Sequence, residues 1–156
     1  MSWLIVFSMS FLVMEWNAWF LHKYVMHGFL WSLHIDHHQP TGKAYQKNDF
    51  FAIFFAVPSF LFILFDSLYS IPTLGAIGYG VMAYGFVYFL VHEVIIHRRW
   101  KFFQIRNNWY IEALNVAHKK HHAHTGKEDG ENFGMLWVTP KYFAEAISRR
   151  HSRKSN

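Results

Sequence analysis

The sequence contains no cysteine. Consequently no thiolate can ligate a metal ion or an iron–sulfur cluster in this chain. Charged residues are also scarce, at 16% of the chain, whereas an ordinary soluble domain has roughly a quarter. Apolar residues make up 53% and aromatic residues 21%. So little charge in so apolar a chain indicates a protein that resides in a lipid bilayer.

Basic residues are missing from the start of the chain, where the first one is Lys23. The first apolar stretch therefore lacks the charged n-region of a secretory signal, and we expect it to be retained as a membrane anchor. The formal net charge of +5 could suggest a nucleic-acid partner. The basic residues form no run within a soluble recognition fold, however, so we expect no nucleic acid to bind.

A nucleotide-binding fingerprint is absent as well. The nearest candidate, Gly75-x-x-Gly78-x-Gly80, has the wrong spacing and lies within an apolar stretch. With 156 residues the chain has room for a single domain, 1–156, and none for a reductase module. Electrons for any redox reaction must therefore come from outside this chain.

Three apolar stretches are long enough to be considered as membrane spans, at about 2–21, 50–65 and 71–91. About 20 helical residues cover roughly 30 Å, the thickness of the hydrocarbon layer. The second stretch is short and contains Pro58, so we expect a kink or local thinning of the bilayer there. Beyond the third stretch, residues of about 100–150 favour further helices. These features predict an all-α integral membrane protein with three transmembrane helices and a cytoplasmic helical cap.

The distribution of basic residues predicts the orientation of the spans. Lys43 and Lys47 lie between the first two spans, and Arg98 and Arg99 follow the third. The N-terminus and the linker between the second and third spans carry no lysine or arginine. By the positive-inside rule, the N-terminus lies outside and every basic segment faces the cytoplasm.

Histidine is the most unusual feature, with twelve copies. Ten of them form two pairs spaced by five residues and two H-x-x-H-H triples, in the order pair, triple, pair, triple. The first pair and triple are His22, His27, His34, His37 and His38, and the second are His92, His97, His118, His121 and His122. Neutral imidazole is the commonest protein ligand for transition metals. The pattern therefore predicts a metal site at the cytoplasmic ends of the spans.

The spacing within each cluster constrains how the rings can point. Residues at i, i+3 and i+4 lie on one helix face, so each triple presents three imidazoles in one direction. Residues five apart are about 140° apart on an α-helix. Either a π-helical turn brings the two rings of a pair together, or they reach different metals on either side of the helix. Ten imidazoles exceed the capacity of one ion, which favours the second arrangement and two metals with four or five imidazoles each.

Other interpretations remain open at this stage. Incidental interfacial histidines would not repeat the same order twice, and a haem protein with two histidine ligands would leave the triples without a use. A histidine-rich membrane metal transporter or metal-binding protein is a stronger alternative than these two. Such a protein would need ligands spread across the depth of the membrane, whereas these clusters all lie on one side.

The sequence segments around these histidines resemble those of a known family. The chain is similar to the bacterial β-carotene hydroxylases of the fatty acid hydroxylase and sterol desaturase superfamily, from about Met14 to Tyr142. The segments that carry the resemblance are HKYVMHG, HIDHH, AYGFVYFLVHEVIIHRRW and HKKHHAHTGKE. Two departures are the motif H-E-V-I-I-H, where the family more often has aspartate and glycine after the first histidine, and the extra imidazole of His124. Both leave open a reaction on a related ring or at a related carbon. A hydroxylase or desaturase of another lipid in the same superfamily is the alternative within this resemblance.

The resemblance implies a non-haem di-iron monooxygenase that uses O2 and takes electrons from a ferredoxin or a similar donor. It implies hydroxylation at C-3 of the β-ionone rings of β-carotene, giving β-cryptoxanthin and zeaxanthin, at the bacterial inner membrane. The ten clustered histidines would be the ligands of two iron ions. Spacing alone would also accept zinc, which could replace iron in a structure.

Further residues are candidates for supporting roles. A ligating histidine usually donates its second N–H to an acceptor that fixes the ring. Glu15 is the best candidate acceptor, because it precedes His22 by two turns on nearly the same helix face and is costly within a span. The weaker candidates are Asp36, Asp49 and Glu93. Most phenylalanines are expected to pack against lipid or other helices, but Phe86 and Phe89 could line a channel for the substrate.

Overall fold

Six α-helices make up most of this protein in the computed structural model, which describes residues 2–43, 45–102, 104–105 and 108–154. They are α1 (Trp3–Phe20), α2 (Trp31–His38), α3 (Phe50–Tyr69), α4 (Pro72–Phe89), α5 (Trp109–Ala123) and α6 (Pro140–Lys154). Two π-helical segments, Leu21–Phe29 and Leu90–Ile96, continue α1 and α4, and a 3₁₀ turn (Lys47–Asp49) precedes α3. These described residues contain no strand.

Three of the helical stretches are long and apolar enough to cross a membrane, namely Trp3–Phe29, Lys47–Tyr69 and Pro72–Ile96. They confirm the predicted fold class of an all-α membrane protein with three spans. The second span is longer than the predicted 50–65, because α3 continues through Pro58 to Tyr69. Its 20 residues cover roughly 30 Å, so local thinning of the bilayer is not required.

The last part of α3 lies close to a glycine in the neighbouring helix. The carboxylate of Asp66 lies so close to Gly75 of α4 that a Cβ there would be 2.0 Å from Asp66 Oδ2. The small residue therefore makes room for a charged side chain near the end of the span. The chain then turns at Ser70, which adopts a left-handed conformation with φ of 55°.

Helix α4 packs between α1 and α3, and its glycines allow both neighbours to approach closely. A Cβ on Gly78 would lie 2.8 Å from the carbonyl oxygen of Ser59 in α3. A Cβ on Gly80 would lie 2.6 Å from the carbonyl oxygen of Phe7 in α1. The small residues thus set the distances between spans, as expected for membrane helices.

A helical cap covers one end of the spans. The chain bends at Gly28 into α2, and α5 begins at Asn108, whose side chain accepts hydrogen bonds from the backbone N–H groups of Tyr110 and Ile111. Helices α5 and α6 pack against the end of α4 and its π-helical continuation, and against the connection between α5 and α6. The buried apolar residues of this second core are Val91, Ala113, Leu114, Val116, Ala117, Met135, Val138, Tyr142 and Ala146. The cap therefore fixes α5 over the ends of the spans from which the first and third histidine clusters emerge.

We predict that Gly80→Ala lowers the free energy of unfolding by about 1–3 kcal/mol, because its methyl group would overlap the backbone of α1. Gly85→Ala is the matched control in the same helix, since a Cβ there meets no atom of the described residues within 4 Å. The measurement is the midpoint of thermal unfolding of each purified variant in detergent. Equal destabilisation by the two substitutions would contradict the close approach of α1 and α4 at Gly80.

Candidate metal centre

The structure brings all ten clustered histidines into one region beneath the cap. Eight of them are buried, and His97 and His122 are half-buried. Nine of the ten form two adjoining groups of potential ligand atoms, each with its atoms within 4.8 Å of one another. Group one is His22, His27, His34, His38 and His121, and group two is His37, His97, His118 and His122.

The tenth residue, His92, lies beside group two. Its ring centroid is 4.7 Å from that of His37, 4.5 Å from that of His97 and 4.8 Å from that of His118. The two groups also touch each other, because the rings of His38 and His122 stack with centroids 4.4 Å apart. The arrangement is therefore one continuous imidazole cluster with two centres.

Each H-x-x-H-H triple is divided between the two groups. Its outer histidines, four residues apart, belong to one group, and its middle histidine belongs to the other. Thus His34 and His38 lie in group one while His37 lies in group two, and His121 crosses from the second triple into group one. Each half of the histidine pattern, 22–38 and 92–122, thus contributes the middle histidine of its triple to the group formed by the other half.

The pair of His22 and His27 lies on a π-helical segment, and in the second pair His92 lies on one and His97 caps its end. His22 and His27 fall in the same group, with ring centroids 5.2 Å apart, and the rings of His92 and His97 are 4.5 Å apart. The number of histidines favoured an arrangement in which the two rings of each pair reach different metals. This arrangement is not found for His22 and His27, which lie in the same group. The wider π-helical turn brings residues five apart onto one side, which an α-helix would not do.

The Nδ1 atom of every group-one histidine has a hydrogen-bond acceptor. Four of these acceptors are backbone carbonyls from the end of α5 and the segment that follows it. Nδ1 of His38, His27, His121 and His22 donates to the carbonyls of residues His124, Lys127, Glu131 and Phe133, each at 3.0 Å. Nδ1 of His34 donates to Asn48 Oδ1 at 2.6 Å. Since a carbonyl can only accept, each neutral ring carries its proton on Nδ1 and its lone pair on Nε2.

The Nε2 atoms point at one another. His22 Nε2 lies 3.2 Å from His34 Nε2, and His27 Nε2 lies 3.1 Å from His38 Nε2. Two lone pairs at this distance repel each other unless a cation lies between them. Among the described residues, the buried Nε2 atoms of His121 and His122 have no hydrogen-bond partner, although buried polar atoms normally have one. Facing lone pairs and unsatisfied nitrogens are the features that metal ions would satisfy, so the donor set fits a metal in each group.

Electrostatics favours the form of imidazole that binds metals. Burial, with a smaller contribution from neighbouring rings, lowers the pKa of His34 to about 3 and that of His38 to about 4. Burial and the nearby His92 lower the pKa of His97 to about 3. All three rings are therefore neutral near pH 7. A neutral imidazole offers its lone pair to a cation without first losing a proton.

A buried carboxylate supports the histidine beside group two. Nδ1 of His92 contacts Glu93 Oε1 at 2.7 Å, and Glu93 Oε2 accepts a hydrogen bond from Arg99 at 2.8 Å. Arg99 also donates to both carboxylate oxygens of Asp49, at 2.7 and 2.9 Å. Arg98 has a left-handed φ of 55°, and the Arg99 N–H donates to the Glu93 carbonyl. This turn folds Arg99 back over the end of the third span.

The other two carboxylates that the sequence singled out have different partners. Asp36 Oδ2 accepts a hydrogen bond from the backbone N–H of Lys47, which attaches α2 to the 3₁₀ turn. Glu15 accepts hydrogen bonds from the Tyr84 hydroxyl and from the backbone N–H groups of residues 135–137. Its connection to His22 is therefore indirect and passes along the backbone to the Phe133 carbonyl.

An apolar cavity of about 560 Å³ reaches the histidines from within the spans. Its walls come from α1, α3 and α4, including Ala18, Phe55 and Tyr88, and it ends at His22 and Glu93. Phe89 lines the cavity. Phe86 is not among the lining residues, and its side chain is 62% exposed on the outside of α4. The two phenylalanines that the sequence proposed for a channel thus lie on different faces.

Several contributors to the site were not identified from the sequence. Asn48 and Arg99 carry no motif that separates them from other polar residues. The acceptors at Lys127, Glu131 and Phe133 are backbone carbonyls, so the side chains at these positions do not indicate their role. Only the loop signal between α5 and α6 could have suggested that backbone acceptors were available there.

Comparison with known proteins provides an independent finding. A sequence model of the family described as "Fatty acid hydroxylase" matches residues 7–143. A protein named "Beta-carotene hydroxylase" from Pantoea ananas is 41% identical over 153 residues, 97% of this chain and 86% of the relative. Proteins of the same name from Pseudescherichia vulneris and Paracoccus sp. (strain PC1) are 38% and 34% identical, over 96% and 90% of this chain and 85% and 86% of the relatives. No solved structure matches the chain.

We predict that the purified protein binds two divalent metal ions per chain, one in each histidine group. His34→Ala should lower the content towards one, because group one loses a ligand while group two stays complete. His151→Ala, in the exposed part of α6, should retain two ions. Elemental analysis after dialysis measures the ratio, and zinc in place of iron would be acceptable. A ratio near one in the parent protein would contradict a two-centre site.

Proposed function

This chain belongs to the fatty acid hydroxylase family, and from that premise we propose that it hydroxylates the rings of a carotenoid. We propose β-carotene as the substrate and C-3 of its β-ionone rings as the position of attack. The products would be β-cryptoxanthin and then zeaxanthin. Residues 1–156 would act as one hydroxylase domain, with two iron ions, O2 as co-substrate and an external electron donor.

The observation that carries this proposal is the meeting of an apolar cavity with the imidazole cluster. A carotenoid is dissolved in the hydrocarbon layer, and the cavity opens among helices that are apolar enough to cross that layer. It ends at His22, whose Nε2 faces the centre of group one. A ring that enters from the lipid would thus reach the metal centre without passing through water.

The residues of this chain would hold, orient and shield the reaction. Two iron ions bound by the histidine groups would supply the activation of O2. The carbonyls of the segment after α5 fix the rings of group one, and Glu93 fixes the ring of His92. Aromatic and aliphatic walls such as Phe55 and Tyr88 would confine the substrate ring and exclude water.

The electrons would arrive from the side of the cap. Lys43, Lys47, Arg98 and Arg99 lie near this end of the spans, and the positive-inside rule places such residues in the cytoplasm. We therefore propose that the cap faces the cytoplasm of a bacterial inner membrane and that the N-terminus lies outside. An acidic ferredoxin or a similar donor could then dock on the basic surface.

We predict that cells which accumulate β-carotene form mono- and dihydroxylated pigments when they express this chain. Alanine at any one of the ten clustered histidines should nearly abolish these products, because nine are potential metal ligands and the tenth, His92, packs against His97 and His118 of group two. Chromatography and mass spectrometry of the pigments measure the outcome, with protein levels compared by immunoblot.

The matched controls are His124→Ala and His151→Ala. Both side chains are exposed, and the contact from His38 goes to the backbone carbonyl of residue His124, which alanine retains. Both variants should therefore keep most of the parental activity. A metal transporter would alter cellular metal content and leave the pigments unchanged. A hydroxylase of another lipid would likewise leave β-carotene intact, so unchanged pigment would refute the proposed substrate.

Phe89 and Phe86 provide a test of the cavity itself. Phe89→Ala would remove part of the cavity wall and should reduce the catalytic efficiency by roughly tenfold or more. Phe86→Ala should remain close to the parent, because that side chain is exposed and does not line the cavity. Turnover in reconstituted vesicles with a chemical reductant measures both variants, and metal content should be unchanged. A larger effect at Phe86 than at Phe89 would exclude this cavity as the substrate site.

A further inference from the structure

An irregular apolar segment, residues 133–138, contacts the middle of the first span. Its sequence is FGMLWV, without a charged residue, and it is neither helix nor strand. Three of its backbone N–H groups, at Met135, Leu136 and Trp137, donate to the carboxylate of Glu15 at 2.9–3.0 Å. Since Glu15 belongs to the first span, the segment must lie at the depth of Glu15.

That depth is near the centre of the membrane-crossing helices. Glu15 is twelve residues from Trp3 and fourteen from Phe29, the ends of the first span. Tyr84, which donates to Glu15 Oε2 at 2.7 Å, is twelve residues from each end of the third span, Pro72 and Ile96. At 1.5 Å per residue, Glu15 lies roughly 10 Å below His22. The segment therefore reaches from the cap well into the depth of the bilayer.

Non-helical backbone at this depth is tolerated only if its polar groups are satisfied by protein, because lipid provides no hydrogen bonds. Glu15 satisfies three consecutive N–H groups of the segment, and the Tyr110 hydroxyl donates to the Leu136 carbonyl. Gly134 allows the tight turn, since a Cβ there would lie 2.6 Å from the Trp137 carbonyl oxygen and 3.3 Å from Glu15 Oε1. These backbone groups of the segment are therefore satisfied by protein side chains.

Its most exposed side chain points away from the protein. Met135 and Val138 are 4% and 3% exposed and belong to the core beneath the cap, whereas Trp137 is 79% exposed. Trp16, next to Glu15 on the first span, is 59% exposed as well. An exposed indole at the depth of a membrane span has acyl chains for its neighbours.

We propose that residues 133–138 form a membrane-embedded anchor of the cap, with Trp137 inserted among the acyl chains of the surrounding lipid. Glu15 is the positioning residue that holds this anchor in place. The anchor also supports the metal centre, because the Phe133 carbonyl accepts from His22 and the preceding Glu131 carbonyl accepts from His121. This proposal depends on the three spans and not on the identity of the substrate.

The absence of cysteine makes the depth directly measurable, since a single introduced cysteine carries the only spin label. Trp137→Cys is compared with Glu128→Cys, an exposed position earlier in the same connection, and with Val57→Cys, an exposed position in the middle of α3. Each labelled protein is reconstituted at low density into phospholipid vesicles. Power-saturation EPR then measures the access of lipid-soluble O2 and of a water-soluble nickel chelate.

The label at position 137 should resemble the one at position 57, with a ratio of O2 to nickel access several-fold higher than at position 128. Nickel access at 137 equal to that at 128 would overturn the proposal. Exclusion of both reagents at 137 would also overturn it, because it would indicate a protein partner or a second copy in place of lipid. Equal metal content in the three labelled proteins establishes that each is folded.

A second variant tests the part assigned to Glu15. Glu15→Gln replaces a carboxylate that accepts three backbone hydrogen bonds with an amide that has one acceptor oxygen. In the Trp137→Cys background, it should raise nickel access several-fold at the label and reduce the metal content of the protein. Unchanged access and metal content would show that Glu15 does not position the segment. If this variant fails to fold, the comparison of positions 137, 128 and 57 still decides whether the anchor lies in lipid.

Discussion

The approach of uncharged imidazole nitrogens to one another is the constraint on which the rest of this structure depends. Nε2 of His22 and Nε2 of His34 are 3.2 Å apart, and the equivalent atoms of His27 and His38 are 3.1 Å apart. Such contacts are unfavourable between neutral rings that carry their protons on Nδ1, so they fit a cation that both atoms would bind, and they need a scaffold that prevents the rings from turning away. In group one the scaffold is a set of acceptors on Nδ1, because a ring that donates to a fixed carbonyl has only one direction left for its lone pair.

The need for those acceptors explains why the connection between α5 and α6 lies where it does. The Phe133 carbonyl reaches His22, and the residues that follow it lie alongside the first span, at a depth where lipid would provide no hydrogen bonds to their backbone. Glu15 resolves that conflict by accepting the N–H groups of residues 135–137. The carboxylate of Glu15 would be costly in a span without partners. It is stabilised by N–H groups of the same connection whose carbonyls hold histidines of group one.

The two groups differ in their surroundings although the motifs repeat. Group one is fixed by neutral acceptors, four carbonyls and one amide. The histidine beside group two, His92, meets a carboxylate that is itself paired with Arg99. The repeated order of pairs and triples thus yields two centres with similar ligands and different electrostatic environments. The apolar cavity is lined by His22 of group one and by Glu93, the carboxylate that contacts His92.

The sequence by itself determined the class of fold, the number of spans and the ten histidines that come together. These features follow from apolar runs and from helical periodicity, which depend on residues close to one another in the chain. Tertiary structure alone decided that each triple is divided between two groups and that Glu15 holds a backbone segment. It also decided that Arg99 supports Glu93 and that only Phe89 of the two phenylalanines faces the cavity. The physical reason is that these contacts join distant residues, as with His22 and Phe133, which are 111 positions apart. A backbone carbonyl is present at every position, so the sequence carries no signal for the one that a distant histidine will use.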